Sequence, residues 1–286
     1  MANPNRRVLL AGGGYRAQMM QIQEDEPWQR DVGREPGPGQ LSEKQSRWNY
    51  LEKHGINRRF RDEIGILFVE VPDPDDDFLH IIRSVQARKE GPLAAQQLRL
   101  PQRGFSHIPI LEFEGRLTVL ELQDNFISTI EHLEHLTRLV YLDLSKNKIQ
   151  KICGISTLRE LQVLKLSKNQ IHMIENLADN DKIEVLDLSA NRIKKIENLT
   201  ELKKLKSLDL SNNLISALEN LEQAVFLTEL NVENNMLEEL GSLEGFPNLK
   251  KLWAANNMLQ RFEDIESIRG SDKLSRMMLD GNPVAK

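Results

Sequence analysis

The sequence predicts an α/β solenoid, a curved stack of short coils whose strands line one parallel, concave sheet. Three observations carry this expectation. Apolar residues recur on a fixed period: Leu117, Leu139, Leu161, Ile183, Leu205, Leu227 and Leu249 each open a unit of 22 residues, except that the last runs three longer before Leu274 opens the next. Asparagine holds the ninth position of every unit, at Asn125, Asn147, Asn169, Asn191, Asn213, Asn235, Asn257 and Asn282. The fourth and sixth positions, Leu120 and Leu122 in the first unit, alternate as the buried face of a strand requires. A repeat of this length is the mark of a solenoid.

From the N-terminus, residues 1–40 carry a triple glycine and "VGREPGPGQ", a Pro/Gly mixture that reads as an extended arm. Residues 41–94 read as a small mixed α/β segment, helix then strand then helix. Leu41 to His54 suits a helix, Ile64 to Val71 a buried strand and Phe78 to Lys89 a second helix. Asp75, Asp76 and Asp77 would sit at the positive end of that second helix, and Arg88, Lys89 and Gly91 at its other end. Asp73 to Asp77 therefore reads as a helix start, because a calcium loop needs alternating ligands, a central Gly and a terminal Glu. From residue 95 to 286 the chain reads as solenoid. Its first unit is weak, with Leu98, Leu100, Phe105, Ile108 and Leu111 at positions four, six, eleven, fourteen and seventeen, and Arg103 in place of Asn. An atypical first unit suits a cap.

A single coil cannot bury its own apolar edges, so neighbours must stack to close the core. An Asn at each ninth position can bond the backbone of its own and adjacent coils, satisfying groups that a tight turn strands. With "LDLSKNKIQKI", "LDLSANRIKKIENLTELKKLKSLDLSNNLISALENLEQ" and "LWAANNML", the sequence resembles the 22-residue class of leucine-rich repeats. That class includes the leucine-rich-repeat regulatory subunit of protein phosphatase 1, the axonemal dynein light chain of the same type, and many centrosomal and ciliary proteins. The resemblance implies partner binding and no shared chemistry. Two positions depart from the pattern, Asn180 and Ala224 standing where Leu is expected at position twenty. At the far end Leu274, Met277, Leu279 and Val284 are expected to form an apolar edge that a neighbour covers.

Composition bounds the function. The chain of 286 residues is 40% hydrophobic and 28% charged with a net charge of −5, which suits a globular protein. No run of apolar residues reaches the length of a signal core or a membrane span, so a cytoplasmic protein is expected. Cys153 is the only cysteine, excluding an intramolecular disulfide and a thiolate metal cluster; it reads as a small buried hydrophobe. Residues 1–94 hold 14 basic and 15 acidic groups, and subtraction from the totals of 38 and 43 leaves 24 and 28 for the remainder. Neither part is basic, and nucleic acid is not expected as a partner.

Candidate chemistry is sparse. Gly12-x-Gly14-x-x-Ala17, after the apolar Val8 to Ala11, imitates a dinucleotide fingerprint. Such a site needs a second strand and an acidic residue about twenty positions on. Pro27, Gly33, Pro36, Gly37, Pro38 and Gly39 occupy that region instead, so no cofactor and no enzymatic activity are expected. In "EHLEH", His132, Glu134 and His135 match no zinc-protease spacing and flank an apolar Leu133. Asn198-Leu-Thr200 has the form of a glycosylation acceptor, without an export signal to give it meaning. Arg192, Lys194, Lys195, Lys203, Lys204 and Lys206 form a basic cluster that could meet RNA or the acidic tails of tubulin, but without interleaved aromatics it reads as a solvated face.

The expected working surface is the concave groove, read from positions three and five of the strands. It offers Tyr141, Asp143, Lys165, Asp187, Asp209, Glu229, Asn231, Lys251, Trp253 and Arg276 to a protein partner. Trp253 between Lys251 and Arg276 has the composition of an interface anchor. The sequence thus points to a non-enzymatic adaptor or scaffold. Its rivals are a structural component of a ciliary, axonemal or cytoskeletal assembly and a phosphatase regulatory subunit.

Overall fold

The computed structural model describes residues 58–61, 67–72, 78–84, 96–111, 115–241, 246–261, 263 and 273–285. The arm at 1–40, its glycine fingerprint, the helix at 41–54 and the acidic run Asp73 to Asp77 lie outside the described residues. The chain divides into two compact units, Met1–Gly91 with Pro109–Phe113, and Pro92–Ile108 with Glu114–Lys286.

In the first unit, strands β1 (Arg58–Arg61), β2 (Leu67–Pro72), β3 (Phe78–Ser84) and β5 (Ile110–Leu111) make a four-stranded sheet in that order. β1 and β3 flank β2 antiparallel, and β5 adds to β3 in parallel. Two expectations are corrected here. Phe78–Ser84 is a strand and not the start of a helix, since "FLHIIRS" finds an antiparallel partner in "LFVEVP", and residues of that kind favour a sheet once paired. Leu111, assigned to a return segment of the first coil, instead pairs with Ile82 in the parallel β3–β5 ladder.

In the second unit, β4 (Gln97–Arg99) is followed by β6 (Val119–Glu121), β7 (Tyr141–Asp143), β8 (Val163–Lys165) and β9 (Val185–Asp187). Then come β10 (Ser207–Asp209), β11 (Glu229–Asn231), β12 (Lys251–Trp253) and β13 (Arg276–Met278). Every neighbour pairs in parallel, giving one nine-stranded sheet among the described residues. The register follows the repeat: Leu98, Leu120, Leu142, Leu164, Leu186, Leu208, Leu230 and Leu252 align across the sheet and are buried.

The return segments carry no α-helix among the described residues. Their buried residues step by three, as in Ile130, Leu133, Leu136 and Leu139, and the backbone closes turns at the same step. Leu136 N–H donates to Leu133 O at 2.9 Å and Leu139 N–H to Leu136 O at 3.0 Å. A period of three matches 3₁₀-type turns and falls short of the 3.6 of an α-helix.

The ninth-position asparagines form the expected ladder. Asn191 Nδ2 donates to Leu188 O of its own coil and to Leu166 O of the preceding coil, both at 3.0 Å, while its Oδ1 accepts from Ile171 N–H at 3.0 Å. The residue before each of these asparagines turns left-handed, including Lys146 at φ 54°, Lys168 at 56° and Ala190 at 52°. A second ladder escaped the sequence reading. Asn176, Asn198 and Asn220, each with φ 59°, donate Nδ2 to Ile152 O, Ile174 O and Ile196 O at 2.7 Å. Asn198, the apparent glycosylation acceptor, is therefore a rung of the fold.

Of the two departures at position twenty, Ala224 is buried without difficulty and Asn180 is not. Asn180 is fully buried; its Nδ2 donates to Ile155 O at 2.9 Å and Leu158 O at 3.0 Å, but its Oδ1 has no partner. Both carbonyls already accept from the backbone, from Leu158 N–H and Leu161 N–H. Asn180→Leu, the residue at the equivalent Leu158 and Leu202, should therefore raise stability by about 1 kcal/mol, roughly 2–4 °C in Tm. A thermal melt that shows a lower Tm would mean the amide holds the coil and is no mere exception.

Candidate interaction face

Positions three and five flank the buried central residue of each strand, so their side chains share the sheet face opposite the core. The strand register places the ten residues of the expected groove in two rows. Along one, Asp143, Lys165, Asp187, Asp209, Asn231 and Trp253 stand in successive strands. Along the other, Tyr141 lies at one end and Glu229, Lys251 and Arg276 at the other.

The acidic row is less free than its composition suggests. Asp143 is only 8% exposed. Its Oδ1 accepts from Ser145 N–H at 2.9 Å and from the Ser145 hydroxyl at 2.6 Å. Asp187 holds Ser189 in the same way, at 3.0 and 2.7 Å, and Asp209 accepts from Ser211 N–H at 2.9 Å. These carboxylates fasten the chain as it leaves the strand, a local role of the kind Asp and Asn play in turns. The recurrent Asp-Leu-Ser at 143–145, 187–189 and 209–211 was the available signal.

Lys165 stands between Asp143 and Asp187 in the register, with its Nζ 5.4 Å from the centre of the Tyr141 ring. Its ammonium is held above the ordinary range, first by its hydrogen bond to Tyr141 and further by Tyr141, Asp143 and Asp187, against a partial burial that works the other way. This end of the face is internally paired and stays charged.

The other end is different in kind. Trp253 is half-buried, Lys251 Nζ lies 5.9 Å from its ring and 2.5 Å from Glu229 Oε1, and Met278 is its neighbour on β13. Arg276 is exposed beside Lys251. An indole, a thioether and two cations thus meet on one side of the sheet.

The remaining candidates resolve into structural roles. His132 has φ 60° and faces Glu131 at 3.9 Å, Glu134 and His135 are exposed, and no group of metal-ligating side chains occurs among the described residues. Cys153 is half-buried, not fully buried, with Sγ 3.6 Å from Ile130 O. In the basic cluster Lys203 and Lys206 pair with Glu201 and Glu184 at 3.5 and 2.7 Å. Among the described residues no helix is long and apolar enough to cross a membrane.

Comparison with known proteins agrees with the coil. Residues 116–159 match a family model for two copies of the leucine-rich repeat, and residues 153–254 a second leucine-rich-repeat model. Residues 116–254 thus carry leucine-rich repeats, and neither model describes an enzyme. No curated protein matches it in sequence. Among solved structures it is similar to an internalin (inlF) of Listeria monocytogenes, with 26% identity, a TM-score of 0.57, and coverage of 60% of this chain and 51% of that one. The chain thus spans about half the length of that internalin. Internalin C2 (inlC2) of the same organism is similar at 27% identity and a TM-score of 0.60, over 65% of this chain and 81% of that one. The protein chain of a TLR13–ssRNA13 complex shares the fold at 24% identity and a TM-score of 0.56, over 66% of this chain and 33% of its own.

Proposed function

We propose that this protein is a cytoplasmic, non-enzymatic adaptor that holds a protein partner on the open face of its parallel sheet, with the partner's contact centred on Trp253. The supporting observation is the meeting of Trp253 with Lys251, Met278 and Arg276 on one side of the sheet, where Asp143, Asp187 and Asp209 at the position of Trp253 in earlier coils are bonded to their own chain. Aromatic and cationic anchors of this kind dominate interface energies. A second contact is proposed at β13, whose Met277 is 36% exposed at the register position that is buried in every other strand of the sheet; a neighbour covers it. Placement in a ciliary or axonemal assembly, or service as a phosphatase subunit, rests on the repeat resemblance alone.

Crosslinking of the tagged chain and mass spectrometry identify the partner, and the affinity of variants then tests the face. Trp253→Ala should weaken binding by about thirtyfold, the equivalent of about 2 kcal/mol for an interface anchor, with thermal stability nearly unchanged. Asp187→Asn is the matched control at the fastened end, because an amide oxygen still accepts from Ser189. Unchanged affinity in Trp253→Ala would remove the sheet face from consideration.

A further inference from the structure

The edge of the solenoid just beyond the asparagine ladder carries an apolar strip that the fold does not require. The residue after each ladder asparagine from Asn125 to Asn257 donates its backbone N–H to the preceding coil. In this way Phe126, Lys148, Gln170, Arg192, Leu214, Met236 and Met258 stand as consecutive rungs, each with N···O 2.8 Å. In the first rung the side chain is Phe126, with Lys148 Nζ 4.8 Å from the centre of its ring, and in the next three it is polar. In the last three it is apolar and exposed, Leu214 by 42%, Met236 by 43% and Met258 by 42%. Since Lys, Gln and Arg serve the same backbone position, packing does not explain the switch. Contiguous apolar groups left in water mark a contact surface, and methionine is a favoured residue on surfaces that accept helices.

We infer that this edge docks an acidic, amphipathic helix of a partner protein, on a surface distinct from the sheet face. Neighbouring coils repeat at about 4.8 Å, so the three rungs span roughly 10 Å. A helix laid along the stack covers about 10.5 Å from residue i to i+7, and side chains at i, i+4 and i+7 meet the three rungs in turn. An extended peptide advances about 6.7 Å for each side chain on one face and outruns them. Charge selects the helix further. Arg192 is the next rung, and Lys194 and Lys195 follow it in the same turn; all three are exposed and none makes an ion pair among the described residues. Glu238 and Glu239 follow Met236 in the corresponding place and a single Arg261 follows Met258, so positive charge is densest at the Arg192 end. The helix therefore carries Asp or Glu one turn from its apolar triplet, over Arg192, Lys194 and Lys195.

The test is a displayed library of amphipathic helical peptides selected on the full chain and re-measured by fluorescence anisotropy against variants. Enriched peptides should carry apolar residues at i, i+4 and i+7 with acidic residues at one end. They should lose at least about tenfold in affinity on Met236→Glu, and again on Arg192→Glu with Lys194→Glu, because each removes a contact worth about 1.4 kcal/mol or more. Affinity should fall with added salt, and Trp253→Ala should leave it unchanged, which separates this surface from the sheet face. Met236→Glu places a charge where Lys148 and Arg192 stand in other coils, so the fold tolerates it, and circular dichroism checks that it does. The inference is overturned if no helix enriches, or if enriched peptides bind Met236→Glu as tightly as the unaltered chain. It also fails if single-stranded RNA binds the edge in a manner insensitive to Met236→Glu while the peptides do not bind.

Discussion

Asn191→Ala should lower the stability of the solenoid by about 2–3 kcal/mol, a fall in Tm of roughly 4–12 °C, because one buried backbone N–H loses its acceptor and two buried carbonyls each lose one of two amide donors. The N–H is that of Ile171, whose acceptor is Asn191 Oδ1; Leu166 O and Leu188 O also accept from Asn191 Nδ2 but keep the amides of Asn169 and Asn213. Water cannot replace the Asn191 amide between stacked coils without opening them. Asn191→Asp should not rescue, since a carboxylate can still accept from Ile171 but cannot donate to the carbonyls, and it buries a charge. Thermal or urea unfolding of both variants checks this. A melt equal to that of the unaltered chain would mean that the ladder contributes nothing net.

The second large effect is expected at Gly154→Ala. Gly154 has φ 65°, and a Cβ there would collide with Ile130 O. The backbone must shift as well as bear a left-handed alanine, so a loss of about 2–4 kcal/mol is expected, read as the midpoint of urea unfolding. Gly154→Asn should cost less. The same position in later coils is Asn176, Asn198 and Asn220, whose amides reach the preceding coil's carbonyl, and Ile130 O is the corresponding acceptor here. Equal losses for Ala and Asn would show that crowding alone governs the position.

The strand register and the core were legible because every coil repeats the same apolar positions and the same asparagine; one misplaced residue would have broken the pattern visibly. The second ladder was not seen, because its column opens with His132 and Gly154 and reads as Asn only from Asn176 onward. Phe78–Ser84 was misread for a physical reason. The charges around that segment complement a helix dipole worth only about 0.3–1 kcal/mol, whereas strand β2 offers it a full set of backbone partners. Leu111 was lost similarly, since apolar spacing does not say which of two units a short segment will join. On the sheet face the rows themselves followed from the period, but the holding of Ser145 and Ser189 by Asp143 and Asp187 is a local hydrogen bond that periodicity does not encode.

The asparagine ladder also fixes the grammar by which this chain can change length. Each rung binds its own coil and the one before it, so a single inserted residue between Asn169 and Asn191 would leave one rung's donors aimed at the wrong carbonyls and turn a strand's apolar face outward. Removal of a whole coil would leave every surviving rung with an equivalent neighbour. Lineages of this protein can therefore grow or shrink in whole coils while the core is conserved. Each such step slides the sheet-face rows by one strand, and the partner surface is rewritten without a single core substitution.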